Sequence, residues 1–201
     1  KIEKSFKILS LVIIMNKRKK TPLRYAAGKS KAIYKLEEHL PPNMNEVNEI
    51  QDCFLGGGSF PIYLTKLFPD KKFKVNELYF PVYNFWRTLK EEGHTLSDKL
   101  LELKRQHNTP EKAKVEFNKQ KEILDNESSS NFDKAVAFYM LNKCGFSGLV
   151  TSSFSAMASE SNFGENGIIA LRYYSDLIKD KWEIYNMDYK DFVKTHSNKK
   201  D

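Results

Sequence analysis

Apolar and polar residues alternate with the period of a strand in Phe73-Lys74-Val75-Asn76, and Val47-Asn48-Glu49-Ile50-Gln51, upstream, can also run as a strand. Between them, residues 60–68 carry Ile62, Tyr63, Leu67 and Phe68 on one side of a predicted helix. The first strand reaches that helix through Asp52-Cys53-Phe54-Leu55-Gly56-Gly57-Gly58-Ser59, and the second closes on Glu77. Strand, glycine loop, helix, strand and carboxylate together outline a β-α-β nucleotide-binding unit. Glycines lack a Cβ, so the chain turns sharply there and a ligand approaches the backbone closely. An acid about 20 residues beyond such a loop is where the hydroxyls of a ribose are held. Pro61 stands at the third glycine position of the dinucleotide fingerprint, so a tight strand-to-helix turn without a ligand stays open as an alternative.

The other periodic segments are helical. Residues 29–39 predict a helix on Ala32, Ile33, Leu36 and Leu40, ended by Pro41-Pro42. Pro81 suits a first turn, and Val82, Phe85, Trp86 and Leu89 form the stripe of a helix that Gly93 is expected to stop. Ser97 caps a short helix to about His107, and Thr109-Pro110 starts another to about Asn126. Lys and Glu dominate the latter, which reads as an insertion outside the core. Residues 132–141 and 168–178 are helical in pattern, 182–187 reads as a strand with Asp188 just beyond it, and 151–166 is rich in Ser, Gly and Asn without a clear period.

Composition narrows the class. The 201 residues suffice for one domain, or a domain with an insertion, and 14 Phe and 10 Tyr support a real core. A net charge of +7 is compatible with a polyanionic partner without demonstrating one, because basic residues run along much of the chain. Cys53 and Cys144 have no C-x-x-C and no histidine at ligand spacing, which argues against a metal site or a disulfide framework. They read as buried thiols of a reducing compartment, the cytoplasm or, for a viral chain, the interior of a host cell. The apolar run 8–14 is too short to span a bilayer. A basic arm, 16–20, follows it in place of a small-residue cleavage site, so neither a membrane anchor nor a signal peptide is expected, and Met15 is an alternative start. Gly28-Lys29-Ser30 invites a phosphate-loop reading, but Leu23 stands where its first glycine belongs.

Four segments, in order, resemble one family. Leu23-Arg24-Tyr25-Ala26-Ala27-Gly28-Lys29-Ser30 is similar to the N-terminal motif of Dam-like DNA adenine methyltransferases. Asp52 to Ser59 is similar to their motif I, and Asn76-Glu77-Leu78 with Tyr83-Asn84-Phe85-Trp86 to their motif II. Leu141-Asn142-Lys143-Cys144-Gly145-Phe146-Ser147-Gly148-Leu149 resembles the segment that opens their recognition region. The resemblance implies an α/β fold, the Rossmann-like sandwich of S-adenosylmethionine-dependent methyltransferases, with a mainly helical target-recognition insertion. It divides the chain into an N-terminal extension (1–20), a cofactor part (21–87), a recognition region (88–180) and a return to the catalytic domain (181–201). S-adenosylmethionine is the implied cofactor. Tyr25 would lie against its adenine and Lys29 would reach its carboxylate. Asp52, Phe54, Gly56 and Gly58 would bind the methionine part, Glu77 the ribose, where the family more often has Asp, and Asp188 would approach the adenine amine. Asn142, Lys143 and Ser147 would contact double-stranded DNA. Thr151 stands where the family often has Arg, which leaves the bases read unspecified.

The implied reaction is methyl transfer to the exocyclic amine of a flipped adenine. The family performs it with an Asp-Pro-Pro-Tyr motif, which the 201 residues do not contain; their one Pro-Pro pair is Leu40-Pro41-Pro42-Asn43. The chain therefore reads as the N-terminal part of such an enzyme, a sandwich incomplete at its C-terminus, in which no catalytic residue is assigned. A cognate restriction endonuclease is a possible partner. Two alternatives remain: a catalytically inactive DNA-binding relic, and a nucleotide-binding enzyme acting on a small molecule.

Overall fold

The computed structural model describes residues 21–25 and 28–197. The apolar run 8–14, the basic arm 16–20 and Ala26-Ala27 lie outside the described residues. Three short strands, β1 (Glu49–Asp52), β2 (Lys72–Asn76) and β3 (Trp182–Tyr185), form a parallel sheet in the order β1-β2-β3. The helices in chain order are α1 (Ile33–Glu37), α2 (Ser59–Leu67), α3 (Phe80–Gln106), α4 (Pro110–Asp125), α5 (Asn131–Cys144), α6 (Ala156–Ser161), α7 (Glu165–Ile178) and α8 (Tyr189–His196).

The register puts Ile50 beside Phe73 and Phe73 beside Trp182. Side chains alternate along a strand, so Ile50, Phe73, Val75, Trp182 and Ile184 share one face, while Glu49, Gln51, Lys74 and Glu183 share the other. α2 and α3 cover the apolar face. The Trp86 ring lies 5.4 Å from that of Trp182, whose indole N–H donates to Thr65 Oγ1 at 2.8 Å. On the polar face Lys74 pairs with Glu49 at 2.9 Å, and α8 brings Phe192 and His196 against the Tyr185 ring. The result is a small parallel sheet with helices on both faces.

Four expectations change. The helix expected over 29–39 is a 3-10 turn (Lys29–Lys31) followed by α1. Gly93 does not end α3. The helix kinks at Glu92 (φ −132°, ψ 28°) and runs on to Gln106. Gly93 serves a contact instead, because a Cβ there would lie 2.4 Å from Ser175 Cβ on α7. Ser97 is buried and its hydroxyl donates to the Ile168 carbonyl, so it ties α3 to α7 and caps nothing. α4 is part of the core despite its polarity: Phe117 is 1% exposed, and the buried Glu116 accepts from Gln120 at 2.7 Å and lies 3.3 Å from His107. Residue 88 lies within α3. Ile168, Leu171 and Ile178 of α7 belong to the same apolar core as Trp86, Leu89 and Trp182.

Candidate functional site

The C-terminal ends of the three strands carry the site, and a single buried amide ties them together. Asn76, the last residue of β2, donates from Nδ2 to the carbonyls of Cys53 (3.3 Å) and Met187 (2.9 Å), and its Oδ1 accepts the Met187 N–H. The Asn76 carbonyl accepts the Leu55 N–H at 2.9 Å, which starts the glycine loop. Gly56 (φ 50°) and Gly58 (φ 70°) hold left-handed conformations open to glycine at little cost. Their neighbours leave no room for side chains either. A Cβ on Gly58 would lie 2.5 Å from the buried Trp86 ring, and one on Gly56 would lie 2.9 Å from Tyr25. The Trp86 indole N–H donates to the Gly56 carbonyl at 2.9 Å, so α3 holds the loop from beneath.

Two acids flank the loop in different states. Glu77 is buried, and both its oxygens are engaged. Oε2 accepts the Gly56 N–H at 2.8 Å and Oε1 the Tyr79 N–H at 2.9 Å, while each keeps a lone pair for a further donor. Asp52 ends β1. Its Oδ1 accepts the Phe54 N–H at 2.8 Å, but Oδ2 is buried with no hydrogen bond, and Lys29 Nζ stands 3.8 Å away. A buried carboxylate oxygen in that state is costly, and its chemistry suits a cationic donor.

Around these acids the rim is apolar and exposed: Tyr25, Phe54, Leu78, Tyr79 and Tyr189 all show more than 40% of their surface. Large apolar side chains grouped at the carboxyl ends of parallel strands mark a ligand site. Burial, then Glu77 and Tyr79, push the Tyr25 hydroxyl above its ordinary pKa. Burial and then Asp52 do the same to Cys53, against the pull of Lys29, which keeps that thiol protonated and unreactive at neutral pH. A groove of about 320 Å³ opens from Asp52 and Phe54 along β1 toward Phe60 and Leu64.

Tyr25, Lys29, Asp52, Phe54, Gly56, Gly58 and Glu77 are thus brought together. Asp188 is exposed beyond β3, where its Oδ1 accepts the Lys190 N–H at 2.8 Å as the N-cap of α8. The other expected cluster divides. Asn142 is 2% exposed, with Oδ1 accepting the Arg24 N–H and Nδ2 donating to the carbonyls of Arg24 and Gly148. Lys143 is buried, its ammonium 5.2 Å from the centre of the Tyr139 ring. Both point into the protein because they belong to the last turn of α5, which is buried all round. Ser147 is exposed, in a left-handed conformation (φ 54°) at the tip of the following turn, between Phe146 (65% exposed) and Gly148.

The family model for D12 class N6 adenine-specific DNA methyltransferases matches residues 25–201. The chain belongs to that family. It is also 30% identical over 138 residues to the Type II methyltransferase M.MjaIII of Methanocaldococcus jannaschii, an alignment covering 63% of this chain and 46% of that protein. The chain thus spans about half the length of the curated relative it matches. The Dam-like resemblance assigned roles to the acids and glycines, while Asn76, Leu78, Trp86 and Arg24 lay within its motifs without one. Leu78 had a signal, an apolar residue directly after the acid. Asn76 and Arg24 act through backbone groups remote in sequence, and nothing local signalled that role. Among the described residues no group of His, Cys, Asp or Glu is placed to hold a metal, and no helix is long and apolar enough to cross a membrane.

Proposed function

We propose that this chain is the cofactor-binding and DNA-recognition part of an adenine-specific DNA methyltransferase, folded as a Rossmann-like sandwich that uses S-adenosylmethionine. The observation that carries the reading is the buried Asp52 Oδ2, which accepts no hydrogen bond, beside a glycine loop at the strand ends. The residues fit the cofactor. Asp52 would take its ammonium and Lys29 its carboxylate, Glu77 its ribose hydroxyls, and the apolar rim of Tyr25, Leu78 and Tyr79 its adenine. Bound there, the cofactor supplies an electrophilic methyl group. The chain's own part is to bind, orient and shield it. Asp188 remains a proposed contact at the rim.

Ser147 and the exposed Phe146 are the proposed DNA-facing residues, since apolar side chains at such tips enter base steps and stack on bases. Phosphate attraction has another source. Seven of the 33 basic residues and one of the 26 acidic ones lie in 1–20, leaving 26 against 25 for the rest of the chain. The net charge therefore resides almost wholly in the N-terminal segment, which is where a salt-dependent, sequence-independent contribution would arise. A restriction endonuclease as companion, and the cell interior as location, belong to the same reading.

The 201 residues contain no Asp-Pro-Pro-Tyr, so acceptor positioning is outside their repertoire. The test is radiolabelled cofactor with adenine-containing duplex. The chain is expected to retain cofactor on a filter and to shift duplex at low salt, with no label entering the DNA. Methyl incorporation would contradict the separation of binding from transfer, and absence of cofactor retention would contradict the whole reading.

A further inference from the structure

The cofactor cleft and the recognition tip are far apart in sequence, yet two consecutive residues touch both. Tyr25 lies on the glycine loop: a Cβ on Gly57 would sit 2.7 Å from the Tyr25 Cβ. Arg24, its neighbour, belongs to the tip. The Arg24 guanidinium donates through Nη1 to the carbonyls of Lys143 (3.2 Å) and Gly145 (2.9 Å). Its Cβ lies against Gly148, 2.7 Å from where a Cβ would stand. Asn142 then locks the arrangement. Its amide accepts the Arg24 N–H at 2.9 Å and donates to the Arg24 carbonyl at 2.6 Å, while its second N–H holds the Gly148 carbonyl at 2.8 Å.

We infer that Arg24 and Asn142 form a joint that couples the cofactor cleft to the DNA-facing tip, with Asn142 a positioning residue for both. The physical reason lies in the two-point grip. An amide that bonds both the N–H and the C=O of one residue fixes its position and its orientation, and therefore the direction in which residue 25 leaves. The same amide fixes Gly148 (φ 78°), next to Ser147 (φ 54°), two left-handed residues in succession that the backbone alone does not favour. A ligand that presses on Tyr25 therefore acts on bonds that shape the tip, and DNA that moves the tip acts on Tyr25. Such linkage is reciprocal, so each ligand changes the affinity of the other by the same factor.

This inference builds on the proposed function where it names the ligands, but the joint itself is testable without them. Amide hydrogen exchange is followed by mass spectrometry on the 201-residue chain and on Arg24→Met, which keeps the backbone bonds to Asn142 and removes the guanidinium. Asn142→Ser, which removes the grip, is the second variant; if it fails to fold, Arg24→Met carries the test. Exchange is expected to rise roughly tenfold, as for a local opening, at both 145–149 and 55–58. A rise at 145–149 alone would overturn the joint. With ligands added, saturating S-adenosylmethionine is expected to tighten duplex binding by the wild-type chain roughly tenfold. Arg24→Met should bring that factor close to one while leaving cofactor affinity alone within about threefold. A coupling factor of one in the wild type, or one unchanged in Arg24→Met, would overturn the coupling. Cross-talk in exchange without any cofactor binding would instead leave the joint standing and refute the proposed function.

Discussion

Asp52→Asn is expected to weaken S-adenosylmethionine binding about a hundredfold while leaving the protein at least as stable as the wild type. The two effects separate because the two carboxylate oxygens have different duties. Oδ1 serves the fold by accepting the Phe54 N–H, and an asparagine oxygen does the same. Oδ2 accepts no hydrogen bond in the protein: it is buried, and it meets the Lys29 ammonium only at 3.8 Å. An ion pair of that length to a lysine that is 43% exposed is worth at most about 1 kcal/mol. Removing the buried charge relieves a desolvation cost of about 1–3 kcal/mol, so the melting temperature should hold or rise. Losing the charged partner of the cofactor's ammonium costs about 3 kcal/mol of binding. Calorimetric titration and thermal unfolding of the same preparation check both halves. A lower melting temperature with unchanged affinity would make Asp52 a structural residue.

Glu77→Ala should behave differently, losing about 3 kcal/mol of stability and cofactor binding together. Its carboxylate accepts two backbone N–H groups, from Gly56 inside the loop and from Tyr79 at the start of α3. Alanine leaves the buried Gly56 donor unsatisfied, and each such bond to a charged acceptor contributes about 1.5–3 kcal/mol. Gly56 then loses one of its two tethers and keeps only the Trp86 indole on its carbonyl. Glu77→Gln, with one carbonyl oxygen for one of the two donors, should fall between wild type and alanine. Urea unfolding gives the stability, and a wild-type midpoint for Glu77→Ala would show that the loop does not depend on this residue.

The pairing of these acids shows how far the sequence could be read. Strand period, glycines and acid spacing gave the β-α-β unit within a residue or two, because each is local: Cβ alternation, steric permission and capping act over a few residues. The same information places Asp52 and Glu77 alike as acids beside a loop. Their difference lies in which backbone donors reach each oxygen, and that depends on Tyr79 and Gly56 coming together through the fold. Local reading failed where burial reverses polarity. Its many Lys and Glu made α4 look solvated, yet Glu116 is buried in the core, where it accepts from Gln120. Asn142 was placed among the DNA contacts because its segment resembles the opening of the family's recognition region, yet its amide bonds the backbone of Arg24, 118 residues away, and of Gly148. Gly93 was legible as a glycine but not as a contact, since its reason is Ser175 on another helix.

The central claim is that the ends of the three strands form an S-adenosylmethionine site. Its most direct test is a titration of the cofactor into isotope-labelled 201-residue protein, followed through backbone amide resonances. The account predicts a saturable one-to-one change concentrated at Phe54, Gly56, Gly57, Gly58, Glu77 and Leu78, carried through Tyr25. No change at millimolar cofactor, or changes centred on residues away from the strand ends, would contradict it.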